Sequence, residues 1–146
     1  MVQERALRDE YRQFTTLTTR WSDNDPYGHV NNVIYYSLFD TVVNAALIRA
    51  GLLDVERSPA IGLVAETGCR YFEALAFPDE VESGIRVAHL GRSSVRYEIA
   101  IFRKGATEAA AQGHFVHVYV DRETRRPVAL PAEVRQFLEA LSAPAS

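Results

Sequence analysis

The chain has 146 residues, 47% of them hydrophobic and 24% charged, with a net charge of −3. That length suits a single domain, residues 1–146, with a core of its own. The acidic balance argues against a nucleic-acid partner, which wants a basic face, and a lone Cys69 excludes a disulfide within the chain and points to a reducing compartment. The opening residues, M-V-Q-E-R-A-L-R-D-E, lack the apolar stretch of a secretory signal. No apolar run approaches the ~18 residues of a membrane span. The expectation is a cytoplasmic protein with no membrane partner.

Phe14 to Trp21 reads as a first strand, rich in Thr and aromatic residues. Ser22 to Gly28 is a loop, because Asp, Asn, Pro and Gly form turns through local hydrogen bonds or permissive φ. From Asn31 or Asn32 the pattern becomes helical and runs to Ala50, with Arg49 in the last turn and Gly51 at the stop. At 1.5 Å per residue, a helix of about 19 residues spans about 28 Å. It is apolar on nearly every side, which predicts a buried helix. Its polar residues Ser37, Asp40, Thr41 and Asn44 share one face.

Strands are predicted next at Ile61 to Phe72, Glu80 to Leu90, Ser94 to Arg103 and Ala109 to Val120. Val81, Ile85 and Val87 share one face of the second of these, and Val95, Tyr97, Ile99 and Ile101 one face of the third. Gly91-Arg92-Ser93 and Lys104-Gly105-Ala106 make the hairpin connections. Pro131-Ala132-Glu133 opens a short helix with Val134, Phe137, Leu138 and Leu141 on one side. Residues 142–146 are small and expected to fray. Short connections imply antiparallel pairing. A sheet curled around the long helix buries both apolar surfaces, so the class is α+β.

The run from Arg20 to Tyr36, R-W-S-D-N-D-P-Y-G-H-V-N-N-V-I-Y-Y, packs two carboxylates, an imidazole, a turn glycine and two amides ahead of the helix. A carboxylate near the positive end of a buried helix suits acyl transfer: it attacks carbonyl carbon or activates water, while free N–H groups stabilise the oxyanion. The bland reading of Asp25 is an Asp-Pro turn, and that of Asn31 and Asn32 is helix capping. Asp23 reads as a structural partner of loop N–H groups. His114 and His117 fall on opposite faces of one strand, so they share no metal, and no other metal-ligand spacing stands out.

Trp21, Asp23, Asp25, Gly28, His29, Val30, Asn31, Asn32, Tyr35, Phe39 and Asp40, with Gly91 to Val95, carry a resemblance. Over essentially its whole length the chain resembles the hot-dog fold, a curled five-stranded antiparallel sheet around one long helix with a short C-terminal helix. In particular it is similar to the 4-hydroxybenzoyl-CoA thioesterase-like branch of acyl-CoA thioesterases. The resemblance implies an acyl-CoA thioesterase with Asp25 as nucleophile or general base. It implies carbonyl polarisation by N–H groups from about Val30 to Asn32. It also implies a homodimer or homotetramer with the site between subunits, and coenzyme A as part of the substrate with no other cofactor and no metal.

Further candidates surround that core. His29 and Asn32 join Asp25 as catalytic candidates, and Asp40 is a second carboxylate candidate on the helix. Tyr35, Glu66, Arg70, Arg92, Ser93 and Ser94 are candidates for contacts to acyl group or CoA, the Arg residues for phosphate. Tyr35, Tyr36 and Phe39 also suit plain core. Three rival activities compete with this reading: an enoyl thioester hydratase or dehydratase on the same fold, a thioesterase acting on acyl-carrier protein, and a non-catalytic acyl-CoA binding module. The hydratase pattern, D-x-N-P-x-H, is not matched, since His29 follows Asp25 by four.

Overall fold

The computed structural model describes residues 4–142; of the residues expected to fray, Ser142 is instead held, its N–H donating to the Glu139 carbonyl at 3.1 Å, and residues 143–146 lie outside that range. Five strands form one antiparallel sheet: β1 (Gln13–Thr18), β2 (Ala60–Tyr71), β3 (Glu80–Leu90), β4 (Ser94–Arg103) and β5 (Ala111–Asp121). Their order across the sheet is β1-β3-β4-β5-β2. Helix α1 (Ile34–Arg49) packs on one face, and α2 (Ala132–Ala140) lies against β3 near the end of the chain. No helix among the described residues is long and apolar enough to cross a membrane.

The alternation in β3 and β4 decides which face is inner. Val81, Ile85 and Val87 of β3 and Val95, Tyr97, Ile99 and Ile101 of β4 are all buried, against Phe39, Val42 and Val43 of α1. Phe39 is wholly enclosed, so truncation to Ala costs about 3–5 kcal/mol. Gly51 ends α1 at φ +74°. Its N–H donates to the Ile48 carbonyl at 3.0 Å and Leu52 N–H to the Leu47 carbonyl at 2.9 Å, the paired bonds of a Schellman stop.

Several expectations are corrected. Trp21 lies outside β1, in a 3-10 turn, Trp21–Asp23, because Thr19 already turns its hydroxyl to the Asp79 carbonyl. Helix α1 has 16 residues, about 24 Å, and it is not buried all round. Tyr35, Phe39, Val42, Val43, Ala46 and Leu47 are buried, while Val33, Ser37, Asp40, Thr41 and Ile48 are exposed. Strand β5 starts at Ala111 rather than Ala109, since the Ala109 N–H is engaged by the Ala6 carbonyl at 2.9 Å.

The chain start is the element the periodicity did not reveal. Ala6 and Tyr11 cover Ala100, Phe102 and Ala109 on the outer sheet face, as a second apolar cluster. Gln112 locks the segment, accepting from Ala6 N–H and donating to the Glu4 carbonyl at 2.9 Å. Strand β2, at an edge, leaves Leu63 and Val64 at 40% and 50% exposure. An apolar edge of this kind is a template for another strand.

Candidate functional site

The loop between β1 and α1 is built around its two aspartates. Asp23 is buried at 3% exposure. Its carboxylate accepts from the Arg20 N–H at 2.8 Å and from the Arg20 guanidinium at 2.9 and 3.0 Å. Its carbonyl accepts from Asn31 N–H at 2.9 Å. The structural reading of Asp23 therefore holds.

Asp25 closes the turn that follows. One carboxylate oxygen accepts from Tyr27 N–H at 2.9 Å and more weakly from His29 N–H at 3.4 Å. The Gly28 N–H donates back to the Asp25 carbonyl at 3.0 Å, with Gly28 at φ +82°, where a side chain is strained. Asp25 N–H and His29 carbonyl meet at 2.8 Å. The turn role is thus real, and it fixes the carboxylate by one oxygen. The second oxygen has no hydrogen-bond partner among the described residues. Trp21 and Tyr27, 78% and 85% exposed, flank the loop as uncovered aromatics.

The helix start lies a few residues on. Val30 N–H donates to the Leu75 carbonyl at 2.7 Å, and Asn31 N–H is engaged by Asp23. Of the three amides expected as carbonyl-polarising donors, Asn32 alone has no acceptor among the described residues. Asn31 caps the opening turn, its side-chain oxygen accepting from Val33 N–H at 3.0 Å. The Tyr71 hydroxyl, from the end of β2, donates to the Asn32 carbonyl at 2.8 Å. That hydroxyl pins the helix tip from a distance of 39 residues in sequence, which no local pattern announces. Arg20, three residues before Asp23, was the more legible of the two missed supports.

The remaining candidates separate. The His29 side chain is exposed and makes no hydrogen bond among the described residues. Tyr35 is 3% exposed and stacks edge-on against Tyr71 at 5.0 Å, with its hydroxyl pushed up to about 12 by burial; it belongs to the core rather than to an open binding surface. Asp40 is exposed and accepts from the Asn44 amide at 3.0 Å, while Thr41 hydroxyl donates to the Ser37 carbonyl at 2.8 Å. The polar face of α1 therefore closes on itself. Glu66 stands 3.2 Å from His114 Nε2 on the outer sheet face. Arg70 lines a cavity of about 760 Å³ on that face, under the N-terminal segment and away from α1.

Arg92, Ser93 and Ser94 lie in the β3–β4 hairpin. Ser93 and Arg92 offer carbonyls to Tyr119 N–H at 2.7 Å and Leu130 N–H at 2.9 Å. This hairpin follows the C-terminal end of β3, whereas the Asp25 loop abuts its N-terminal end, where the Asn24 side chain accepts from Phe77 N–H at 3.0 Å. The 11 residues of β3 lie between the two, a contour of up to about 35 Å at ~3.3 Å per residue. One chain does not bring Asp25 and Arg92 together. Among the described residues no cluster of three His, Cys, Asp or Glu side chains is arranged to hold a metal ion.

Comparison with known proteins follows the same outline. The family described as the thioesterase-like superfamily matches residues 19–138. A crystal structure of a protein from Pseudomonas aeruginosa is 53% identical, with a TM-score of 0.95 over 98% of this chain and 100% of that one. A thioesterase from Thermus thermophilus, solved with coenzyme A and zinc, is 32% identical, with a TM-score of 0.75 over 91% of this chain and 96% of that one. A putative thioesterase from Pseudomonas aeruginosa is 25% identical, with a TM-score of 0.77 over 84% and 95% of the two chains. No curated protein matches.

Proposed function

This chain belongs to the thioesterase-like superfamily and is a thioester hydrolase, and we propose that its substrate is an acyl-CoA, split into a carboxylic acid and free CoA. The coenzyme A held by the Thermus thermophilus thioesterase supports the choice of thiol. Asp25 is the reacting carboxylate. It attacks the thioester carbon to give an acyl anhydride and expel the CoA thiolate, which water then resolves, or it takes a proton from the attacking water. In a single turnover in isotopically labelled water, label found in Asp25 identifies the anhydride route, with water attacking the Asp25 side of the anhydride. The Asn32 N–H polarises the carbonyl, helped by the partial positive charge of the α1 start. Loss of one such donor costs about 2.7–4 kcal/mol in other acyl-transfer sites.

The observation that carries this assignment is the anchoring of Asp25. One oxygen is held by backbone N–H groups, the other is unengaged, and the loop is tied to the helix start through Asn31 and Asp23. The test is Asp25→Asn, whose amide oxygen preserves the turn. Thiol release from acyl-CoA falls at least 100-fold while CoA still binds. A variant that keeps turnover overturns the assignment, and a wild type that binds acyl-CoA without releasing thiol makes the protein a binding module instead.

The functional unit is a homodimer or a larger even assembly. Two features support it: the apolar, exposed edge of β2, and the length of β3 between Asp25 and the Arg92–Ser94 hairpin. A substrate that touches both groups spans two copies. Arg92 then meets a CoA phosphate, and Ser93 and Ser94 line the approach.

A further inference from the structure

A second cavity, of about 190 Å³, opens on the inner face at the far end of α1 from the Asp25 loop. Leu47, Leu53, Val55, Ile61 and Tyr119 give it apolar walls, and His117 stands in it at 2% exposure. Of its other polar side chains, the Tyr119 hydroxyl has no hydrogen-bond partner among the described residues, and two are engaged elsewhere. Asn44 donates to Asp40, and Arg122 donates to the Ser58 carbonyl at 2.6 Å and the Val55 carbonyl at 2.8 Å. His117 makes no hydrogen bond among the described residues, and its Nδ1 is sealed from solvent without a partner. Nδ1 abuts Gly62, where a Cβ would come within 2.7 Å, so no ligand atom reaches it from that side. A sealed lone pair is tolerated better than a sealed N–H. The ring proton is therefore assigned to Nε2, the nitrogen left to face the cavity. The result is an imidazole donor beside the Tyr119 hydroxyl in an otherwise apolar chamber, with the ring held neutral because burial pushes it down to about 4.

We infer that this cavity takes the acyl group of the substrate and that His117 selects acyl groups bearing an acceptor oxygen, keto or hydroxyl. The inference rests on the reading as an acyl-CoA hydrolase with a site shared between two copies. Tyr119 lines the cavity and is bonded through its N–H to Ser93 at 2.7 Å, so the cavity lies at the hairpin end of the sheet, the end that a shared site would set against Asp25 of a second copy. Its volume is below the ~300–1,000 Å³ of pockets for whole drug-sized ligands. It fits one short chain or ring, not a nucleotide.

The experiment reads binding, so it does not depend on turnover. Wild type, His117→Phe and His117→Gln are titrated with non-hydrolysable S-alkyl-CoA thioethers, a plain six-carbon chain and a set with a keto oxygen moved along it. Wild type binds at least one keto analogue about tenfold tighter than the plain chain, as one net hydrogen bond allows. His117→Phe erases the difference, and His117→Gln, which keeps a donor, retains part of it. His117→Leu replaces His117→Phe if the larger ring does not fold. Wild-type binding with no keto preference, or a preference that survives in His117→Phe, overturns this inference alone. No binding of any thioether overturns the acyl-CoA reading with it.

Discussion

The Asn31 N–H donates to the Asp23 carbonyl at 2.9 Å, and that bond ties the loop bearing Asp25 to the first turn of α1. Asp23 is held in turn by the Arg20 N–H and guanidinium. Asp23→Ala leaves the Arg20 N–H without its acceptor and frees the loop. The guanidinium turns to water at little cost, since its side chain is 67% exposed. The expected loss is about 2 kcal/mol of stability together with a large drop in kcat. Asp25→Asn, by contrast, leaves the melting temperature unchanged, because Asn closes the same turn. Melting curves and thiol release measured on both variants separate the structural aspartate from the reacting one.

Tyr71 is a positioning residue for Asn32. Its hydroxyl holds the Asn32 carbonyl at 2.8 Å, and the peptide plane it fixes sits one bond from the amide that is to face the substrate. Tyr71→Phe removes a half-exposed hydrogen bond and lowers stability by at most about 1 kcal/mol. It lowers kcat severalfold with KM nearly unchanged. A rise in KM at constant kcat would instead assign Tyr71 to ground-state binding.

The placement of the Asp25 loop and the Arg92 hairpin at opposite ends of β3 gives a complementation test of the shared site. Asp25→Asn and Arg92→Ala are each weakly active alone. Mixed by unfolding and refolding together, half of the dimers carry one copy of each. In such a dimer one site has both changes and the other has neither. Activity returns to about a quarter of wild type, measured by thiol release after reassembly. A site confined to one chain gives no recovery at all.

The bounds of β3 and β4 were legible in the sequence to the residue, because alternation across a sheet with one buried face is a strong local signal. The Gly51 stop was legible for the same kind of reason, since a left-handed residue after a cation-ended helix has few other uses. The exposed side of α1 was not. Val33 and Ile48 are apolar yet uncovered in the chain, and composition carries no record of what covers a surface. Nor was the cover on Phe102, which comes from Ala6 and Tyr11 across more than ninety residues. Asp25 itself was legible as a turn former and a carboxylate at once, and both descriptions apply. The narrowing of the amide donors to Asn32 depends on where Leu75 and Asp23 put their carbonyls, which only the fold decides.

Gly62 and His117 are expected to couple. A Cβ at residue 62 meets Nδ1 at 2.7 Å and Cγ at 2.9 Å, closer than the ring tolerates without moving. Gly62→Ala alone costs about 1–3 kcal/mol by overpacking. In the Gly62→Ala/His117→Ala double variant the methyl has room, and the cost of the glycine change largely disappears. Chemical denaturation of the four proteins gives the interaction energy. Additive losses would mean that the imidazole lies elsewhere in solution.

The buried imidazole also sets a pH dependence. In the folded chain His117 takes up its proton only below about 4, because burial outweighs the pull of the Asp40 charge, against an ordinary value of 6.5. Between those values the unfolded chain binds the proton and the folded chain does not. Stability therefore rises with pH across that window, and it falls as the pH drops from 6.5 towards 4, by about 3 kcal/mol in total for 2.5 pH units at ~1.36 kcal/mol each. Glu73, Glu82 and Asp121 are held below the usual carboxylate range, by Arg103, by the Gly105 N–H and by the Thr124 N–H. They add an acid-side loss of the same sign at lower pH. Subtracting the stability curve of His117→Phe from that of wild type cancels those carboxylates and leaves the imidazole. The difference curve is flat above pH 7 and slopes downward for wild type below it. A flat difference down to pH 4 would show that His117 is hydrated and paired with solvent, which would remove the imidazole donor from the acyl cavity as well.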